Sequence, residues 1–208
     1  MRFSARFAAA VLALTLAGAA PAIQFSDAQL ADLKRVSDYL NGVQTIKGDF
    51  MQINPDGTSD QGVFYVKKPG MARFEYAQPN PNLIVSNGDV FAIQNRKLHT
   101  VQQFPAFASP LKILLDNGLD LDKDTHISSV RTEPGLLIVT ARQTHGPAQG
   151  EITLTFSDPG LELRQWDLID AQGLKTTIIM NNVETGMDIP RQFFAIPQEL
   201  PPYMRHSK

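Results

Sequence analysis

Apolar residues first recur at helical spacing. Leu30, Leu33, Val36 and Leu40 fall three or four apart, with Asp32, Lys34, Arg35 and Asp38 between them. That pattern predicts an amphipathic helix over 27–41. Ser26 or Asp27 can cap its start, and Gly42 stops it. The period then shifts toward two. Strand-like runs fall at 43–53, 60–66, 71–76, 82–86, 89–94 and 98–102, punctuated by Asn54-Pro55-Asp56-Gly57, Lys68-Pro69-Gly70, Pro79-Asn80-Pro81, Asn87-Gly88 and Asn95-Arg96. Asn87-Gly88 is the strongest hairpin signal, because a type I′ turn needs positive φ at both central positions. One interruption follows. Ser109-Pro110 opens and Asn117-Gly118 closes a nearly all-apolar stretch, which predicts a helix of about two turns over 110–117. Runs resume at 125–132, 136–142, 150–156, 161–170 and 174–184. The sum is eleven strands and two helices, and the short links between neighbouring runs favour antiparallel pairing.

The N-terminus changes the compartment. Arg2 and Arg6 precede an apolar run from Phe7 to Ala17, and Ala20-Pro21-Ala22 follows. The run is too short to span a bilayer of ~30 Å. Residues 1–22 therefore read as a secretory signal cleaved after Ala20 or Ala22, leaving 23–208 as one exported domain. Removing Arg2 and Arg6 leaves 17 basic residues against 21 acidic ones, a net charge of −4. Nothing in that balance advertises a nucleic-acid partner.

Chemistry-bearing motifs are sparse. The chain has no cysteine, which excludes a disulfide scaffold, a thiolate metal site and a thiol nucleophile. His99, His126, His145 and His206 are scattered without metal-ligand spacing. Asp120, Asp122 and Asp124 start like a calcium loop, but Thr125 and Arg131 stand where Gly and Glu are required. Nothing predicts an enzyme or a cofactor. The apolar alternation is more informative. Phe74 and Tyr76 share one strand face while Arg73 and Glu75 take the other. Phe50, Phe64, Leu83, Val85, Val90, Ala92 and Leu98 can be arranged on faces like the first. A curved sheet with so large an apolar face must be covered or must hold something, and the short greasy helix is a cover. Lys67, Lys68 and Arg73, around a Pro-Gly turn, make a charged hairpin end or a cation that bonds another element.

These pieces, in this order, resemble a known family. Gly48-Asp49-Phe50-Met51-Gln52, then Gly62-Val63-Phe64-Tyr65-Val66-Lys67-Lys68-Pro69-Gly70, match a G-x-F-x-Q strand and a glycine-led strand ending in V-K-[KR]-P-G. Arg73-Phe74-Glu75-Tyr76, Gln78-Pro79 and Ile84-Val85-Ser86-Asn87-Gly88 match the R-[FW]-x-Y run, the Q-P loop and the [IV]-V-S-[ND]-G hairpin that follow. Ser109-Pro110-Leu111-Lys112-Ile113-Leu114-Leu115 matches the short helix. The resemblance is to the LolA-type periplasmic carriers of outer-membrane lipoproteins. It covers roughly 26–200 and is strongest in 46–118.

The resemblance implies a mainly β fold, an unclosed antiparallel barrel of about eleven strands with a helical lid. It implies an acyl-chain cavity, expected to be lined by Phe50, Phe64, Phe74, Tyr76, Leu83, Val85, Leu111, Leu114 and Leu115. It also implies a lid latch at the basic residue before the Pro-Gly turn, here Lys68, with Arg73 as a second latch candidate. Many relatives carry Arg at the Lys68 position, and a lysine lacks the planar fork. Many also carry a larger apolar residue in place of Ala72. The expected partners are outer-membrane lipoproteins as cargo, an inner-membrane ABC-type lipoprotein-releasing complex and an outer-membrane acceptor, with the carrier acting as a monomer and without a cofactor. A periplasmic acyl-binding regulator or envelope-stress sensor on the same fold is the competing expectation. Leu16-Ala17-Gly18 is the run that precedes a lipidated cysteine, but Ala19 follows, so a soluble periplasmic carrier is expected rather than an anchored acceptor.

Overall fold

The computed structural model describes residues 24–198 apart from Phe107, Ala108, Pro110, Asp122, Asp124, Thr125, His145, Pro147 and Ala148. The signal segment, Asp122 and Asp124 of the acidic run, Pro110 of the short helix, His145 and His206 lie outside the described residues.

Helix α1 spans Asp27–Gly42. Ser26, one of the two expected caps, closes a capping box with Gln29: its Oγ accepts from the Gln29 N–H at 3.3 Å, and its own N–H donates to Gln29 Oε1 at 2.9 Å. Leu33, Val36 and Leu40 bury the expected stripe, while Leu30 stays exposed. Eleven strands follow: β1 Thr45–Ile53, β2 Ser59–Lys67, β3 Met71–Tyr76, β4 Asn82–Asn87, β5 Val90–Asn95, β6 Thr100–Pro105, β7 Ile127–Glu133, β8 Leu136–Gln143, β9 Gly150–Ser157, β10 Leu163–Ile169 and β11 Lys175–Thr185. They make one antiparallel sheet in the order β6-β5-β4-β3-β2-β1-β11-β10-β9-β8-β7. The sheet does not close, because β6 and β7 are both edges. The segment joining those edges carries the second helix, α2, Lys112–Leu115. The chain thus bridges the gap in the barrel with its lid.

Two apolar clusters lie on opposite faces of the sheet. The larger includes Phe50, Phe64, Val66, Phe74, Trp166 and Met180, with α1 and α2 packed over them. The smaller holds Met71, Leu83, Val85, Ile189 and Phe194. Strand parity dictates the division: in the β3–β4 pairing Phe74 lies opposite Ile84, and Arg73 lies opposite Val85. Leu83 and Val85, expected in the cavity, therefore belong to the other face. Ala92 pairs with Val85 and goes with it. Leu98, expected on a buried face, is 64% exposed at a hairpin tip.

Two glycines let the aromatic floor form. Gly48 pairs with Phe64 across β1 and β2, and Phe50 pairs with Gly62. A Cβ at Gly62 would stand 2.1 Å from the Glu75 carbonyl oxygen and 2.8 Å from the Phe50 ring; one at Gly48 would stand 2.9 Å from Phe64. Each ring occupies the space that its partner's missing side chain leaves.

Two local expectations change, and one element is new. The helix expected over 110–117 is a single turn, because Asp116 is already extended. The Asn87-Gly88 hairpin forms, but only Gly88 takes positive φ. Asn87 instead accepts from the N–H groups of Asp89 and Val90 at 3.0 Å, so its side chain does the work that a type I′ backbone would do. A 3₁₀ helix at Arg191–Phe194, unforeseen, covers the smaller cluster.

Candidate functional site

The apolar cleft lies between the lid and the larger face. From the lid come Tyr39 and Leu40 of α1, Val43 just beyond it, and Leu111, Leu114 and Leu115 at α2. From the sheet come Ile46, Val66, Phe74, Phe91, Leu163, Trp166, Met180 and Val183. Lys68 completes the lining as its one charged side chain among the described residues. The space amounts to about 630 Å³ with interstices and open mouth included, but a water-sized sphere could occupy only about 40 Å³ of it. That holds a few waters at most and falls far below the roughly 300–1,000 Å³ of a ligand pocket. The leucines of the lid fill the cleft themselves.

Of the residues expected around an acyl-chain cavity, Phe74, Leu111, Leu114 and Leu115 line this cleft. Phe50, Phe64 and Tyr76 lie next to it in the same cluster, as an aromatic floor. Phe74 meets Phe50 edge-on at 5.6 Å and stacks on Phe64 at 6.0 Å. Phe50 meets Tyr76 edge-on at 5.1 Å. The Tyr76 hydroxyl donates to Gln52 Oε1 at 2.6 Å, which explains the glutamine of the G-x-F-x-Q strand. Burial pushes the Tyr76 phenol up to about 12. Trp166 and Met180 were not anticipated, although parity reaches them: Met180 pairs with Phe50, and Trp166 pairs with Ile178, which lies opposite Gln52. Val183 is turned toward the cleft mouth by a bulge. Between Lys47 and Asp49 the β1–β11 register slips, and Asn182 takes φ +50° there.

Lys68 stands where the latch is expected. Its Nζ donates to the Leu40 carbonyl at 2.6 Å, in the last turn of α1. That carbonyl is one of the orphan acceptors at a helix C-terminus, where a cation also complements the dipole. The same turn reaches α2, since the Gly70 N–H donates to the Leu115 carbonyl at 2.9 Å. Lys68 is 6% exposed. Burial pulls its ammonium down to about 8, partly opposed by the charge of Asp116.

Arg73 does not latch the lid. It lies on the other face of β3, where its guanidinium donates to the Phe193 carbonyl at 3.2 Å and sits 4.7 Å from the centre of the Phe193 ring. Its Nε also donates to Glu75 at 2.6 Å. It pins the 3₁₀ segment to the convex face, helped by Lys67, which donates to the Ile189 carbonyl at 2.5 Å. All three cations around the Pro-Gly turn bond another element, and Lys68 is the one of the three whose bond goes to α1.

An unclosed antiparallel β-barrel with a helical lid over an apolar cleft defines a lidded-barrel protein of LolA-like fold. The family model described as "Outer membrane lipoprotein carrier protein LolA" matches residues 41–197, and the chain belongs to that family. It is 28% identical over 169 residues to the outer-membrane lipoprotein carrier protein of Dechloromonas aromatica (strain RCB), covering 77% of this chain and 80% of that one. It is 27% identical over 198 residues to the carrier protein of that name from Bordetella avium (strain 197N), covering 88% and 89%. The crystal structure of a DUF1329 family protein from Desulfovibrio piger shares the fold, with a TM-score of 0.50 at 14% identity over 81% of this chain and 96% of that chain.

Proposed function

We propose that this chain is a periplasmic carrier. It takes the acyl chains of lipoproteins released from the inner membrane into its cleft and delivers them to the outer membrane. Residues 1–22 are the export signal and 23–208 the mature carrier domain. The observation that carries the reading is the apolar cleft that its own lid fills. Burying an acyl chain is worth ~0.8 kcal/mol per CH₂, so a multiply acylated protein cannot cross water unshielded at a useful rate. A lid of leucines supplies the reverse step. It covers the apolar lining once cargo leaves, so the free-energy gap between loaded and empty forms stays small. The chemistry needs no cofactor and no reacting group. An ABC-type releasing complex and an outer-membrane acceptor are the donor and recipient that this cycle requires, and a monomer suffices for it.

Capture tests the reading. The tagged mature protein, incubated with spheroplasts making labelled lipoproteins, is expected to carry mature lipoproteins into the soluble fraction. Recovery of a signalling protein alone, with no acylated cargo, would replace the carrier with the regulator or stress-sensor reading.

A further inference from the structure

Lys68 is an odd residue to find in this cleft. Every other side chain that lines it is apolar except Tyr39, whose hydroxyl already accepts from the Leu163 N–H at 3.2 Å. Closed, the ammonium has the Leu40 carbonyl. When α1 lifts, that acceptor leaves with the helix. Asp116 is a carboxylate whose charge acts on Lys68, but it is held in an ion pair by Lys112. An ammonium left against an apolar wall must find another oxygen, from water while the open cleft is empty or holds bare hydrocarbon, from the ligand where one is in reach. Its place in the cleft says which part of a ligand that is. Two residues on, Gly70 borders a second depression, where the charged Asp89, Lys112 and Asp116 join Phe91, Ala106 and Leu115. Lys68 is the charged side chain of the cleft lining, and further charged groups lie at this end alone of its described surroundings, so the head of an inserted amphiphile belongs here.

We propose that Lys68 exchanges acceptors as the lid opens, passing its hydrogen bond from the Leu40 carbonyl to an acyl oxygen at the head of the bound chains. The cleft then selects amphiphiles that carry an ester, amide or carboxylate oxygen over bare hydrocarbon. The inference rests on the acyl-cleft reading above and adds to it a ligand class and a positioning contact. The same donor serves the empty and the loaded form, so neither leaves a buried ammonium bare.

Three fluorescent probes separate the possibilities: diphenylhexatriene, which has no oxygen, cis-parinaric acid and its methyl ester. Each is titrated into the mature protein and into its Lys68→Met and Lys68→Arg variants at neutral pH. Within one protein, the ratio of affinities for the acid or ester and the hydrocarbon cancels any change in the ease of opening. That ratio is expected to fall in Lys68→Met by roughly tenfold for the acid and less for the ester, and to persist in Lys68→Arg. An unchanged ratio in Lys68→Met, with all three probes bound, overturns the exchange and leaves the acyl cleft standing. Failure of the unaltered protein to bind any probe takes down both. If Lys68→Met does not fold, the infrared band of the methyl ester, ¹³C-labelled at its carbonyl and bound to the unaltered protein, decides. A band lowered by hydrogen bonding supports the exchange, and a band placed as in hydrocarbon solvent overturns it.

Discussion

At the scale of single residues, Lys68 shows how two opposed terms leave a latch weak. A hydrogen bond from a charged donor contributes about 1.5–3 kcal/mol. Burial of the ammonium costs a similar amount, as its pKa of about 8 against an ordinary 10.5 records. The direction with pH follows from that pair of values. In the open form the ammonium meets water and returns toward its ordinary value, so the closed form binds its proton less tightly. Protonation therefore favours opening, and closure strengthens as pH rises through the window from about 8 to 10.5, at up to roughly 1.4 kcal/mol per pH unit. Two other groups face the ammonium: the Leu40 carbonyl from α1, which does not titrate, and Asp116, whose charge is already part of the shift and which is ion-paired with Lys112 beside α2. Binding of diphenylhexatriene, titrated at constant ionic strength, is expected to weaken from pH 8 to pH 10. In Lys68→Met it should be flat over the same range, and binding that strengthens with pH in the unaltered protein would refute the assignment.

Elements were the most legible part of the sequence. Each predicted strand lies within about three residues of an observed one, because Gly, Pro and Asn mark the turns and the period of two is clean. Which face each strand buries was harder to read. Phe74 and Ala72 alternate with Arg73 and Met71, but both sets are largely buried. The reason is the 3₁₀ segment, which covers the face that alternation alone assigns to solvent. The signs of that role in residues 187–196 are Met187, Ile189, Phe193, Phe194 and Ile196, which follow neither a helical nor a strand period. With both faces apolar, nothing in the sequence separates Leu83 and Val85, which lie in the smaller cluster, from the residues of the cleft face. The lid was legible through Leu111, Leu114 and Leu115, whereas the cleft walls supplied by β10 and β11 needed the sheet order. Arg73 gives the division a test. Burial alone would raise the Glu75 carboxyl, but its hydrogen bond to Arg73 and the charges of Arg73 and Arg96 hold it below its ordinary value. The contribution of this cluster is therefore present at neutral pH and fades in acid. Arg73→Ala is expected to cost about 1–3 kcal/mol in urea unfolding, from the lost carbonyl bond and ring contact. Probe binding should be unaffected. A large change in probe binding with stability intact would return Arg73 to the lid.

Across the whole molecule, the lid is fastened unequally to the two halves of the sheet. Gln29 of α1 donates to the Val130 carbonyl of β7 at 3.0 Å, Arg35 pairs with Asp158 at 2.7 Å beyond β9, and Tyr39 accepts from Leu163 at the start of β10. Asn41 exchanges two 2.8 Å hydrogen bonds with Leu119 in the connection that leads to β7. All of these ties run to the β7–β11 half or to the segment entering it. Among the described residues, the hydrogen bond that reaches α1 itself from the β1–β6 half is the one Lys68 donates to Leu40. The economical opening motion keeps α1 with β7–β11 and parts it from the Lys68 turn, and the unclosed edge between β6 and β7 leaves the sheet room to spread. Since the closed cleft has almost no free volume, opening has to come before entry. Trp166, the only tryptophan in the chain, lines the cleft 6.2 Å from the Phe74 ring and reports on occupancy directly. When rising concentrations of diphenylhexatriene are mixed rapidly with the protein, the rate of Trp166 quenching is expected to level off at the opening rate. A rate that climbs in proportion to probe over the whole range would mean that the cleft stands open in solution and that the Lys68 contact holds nothing shut.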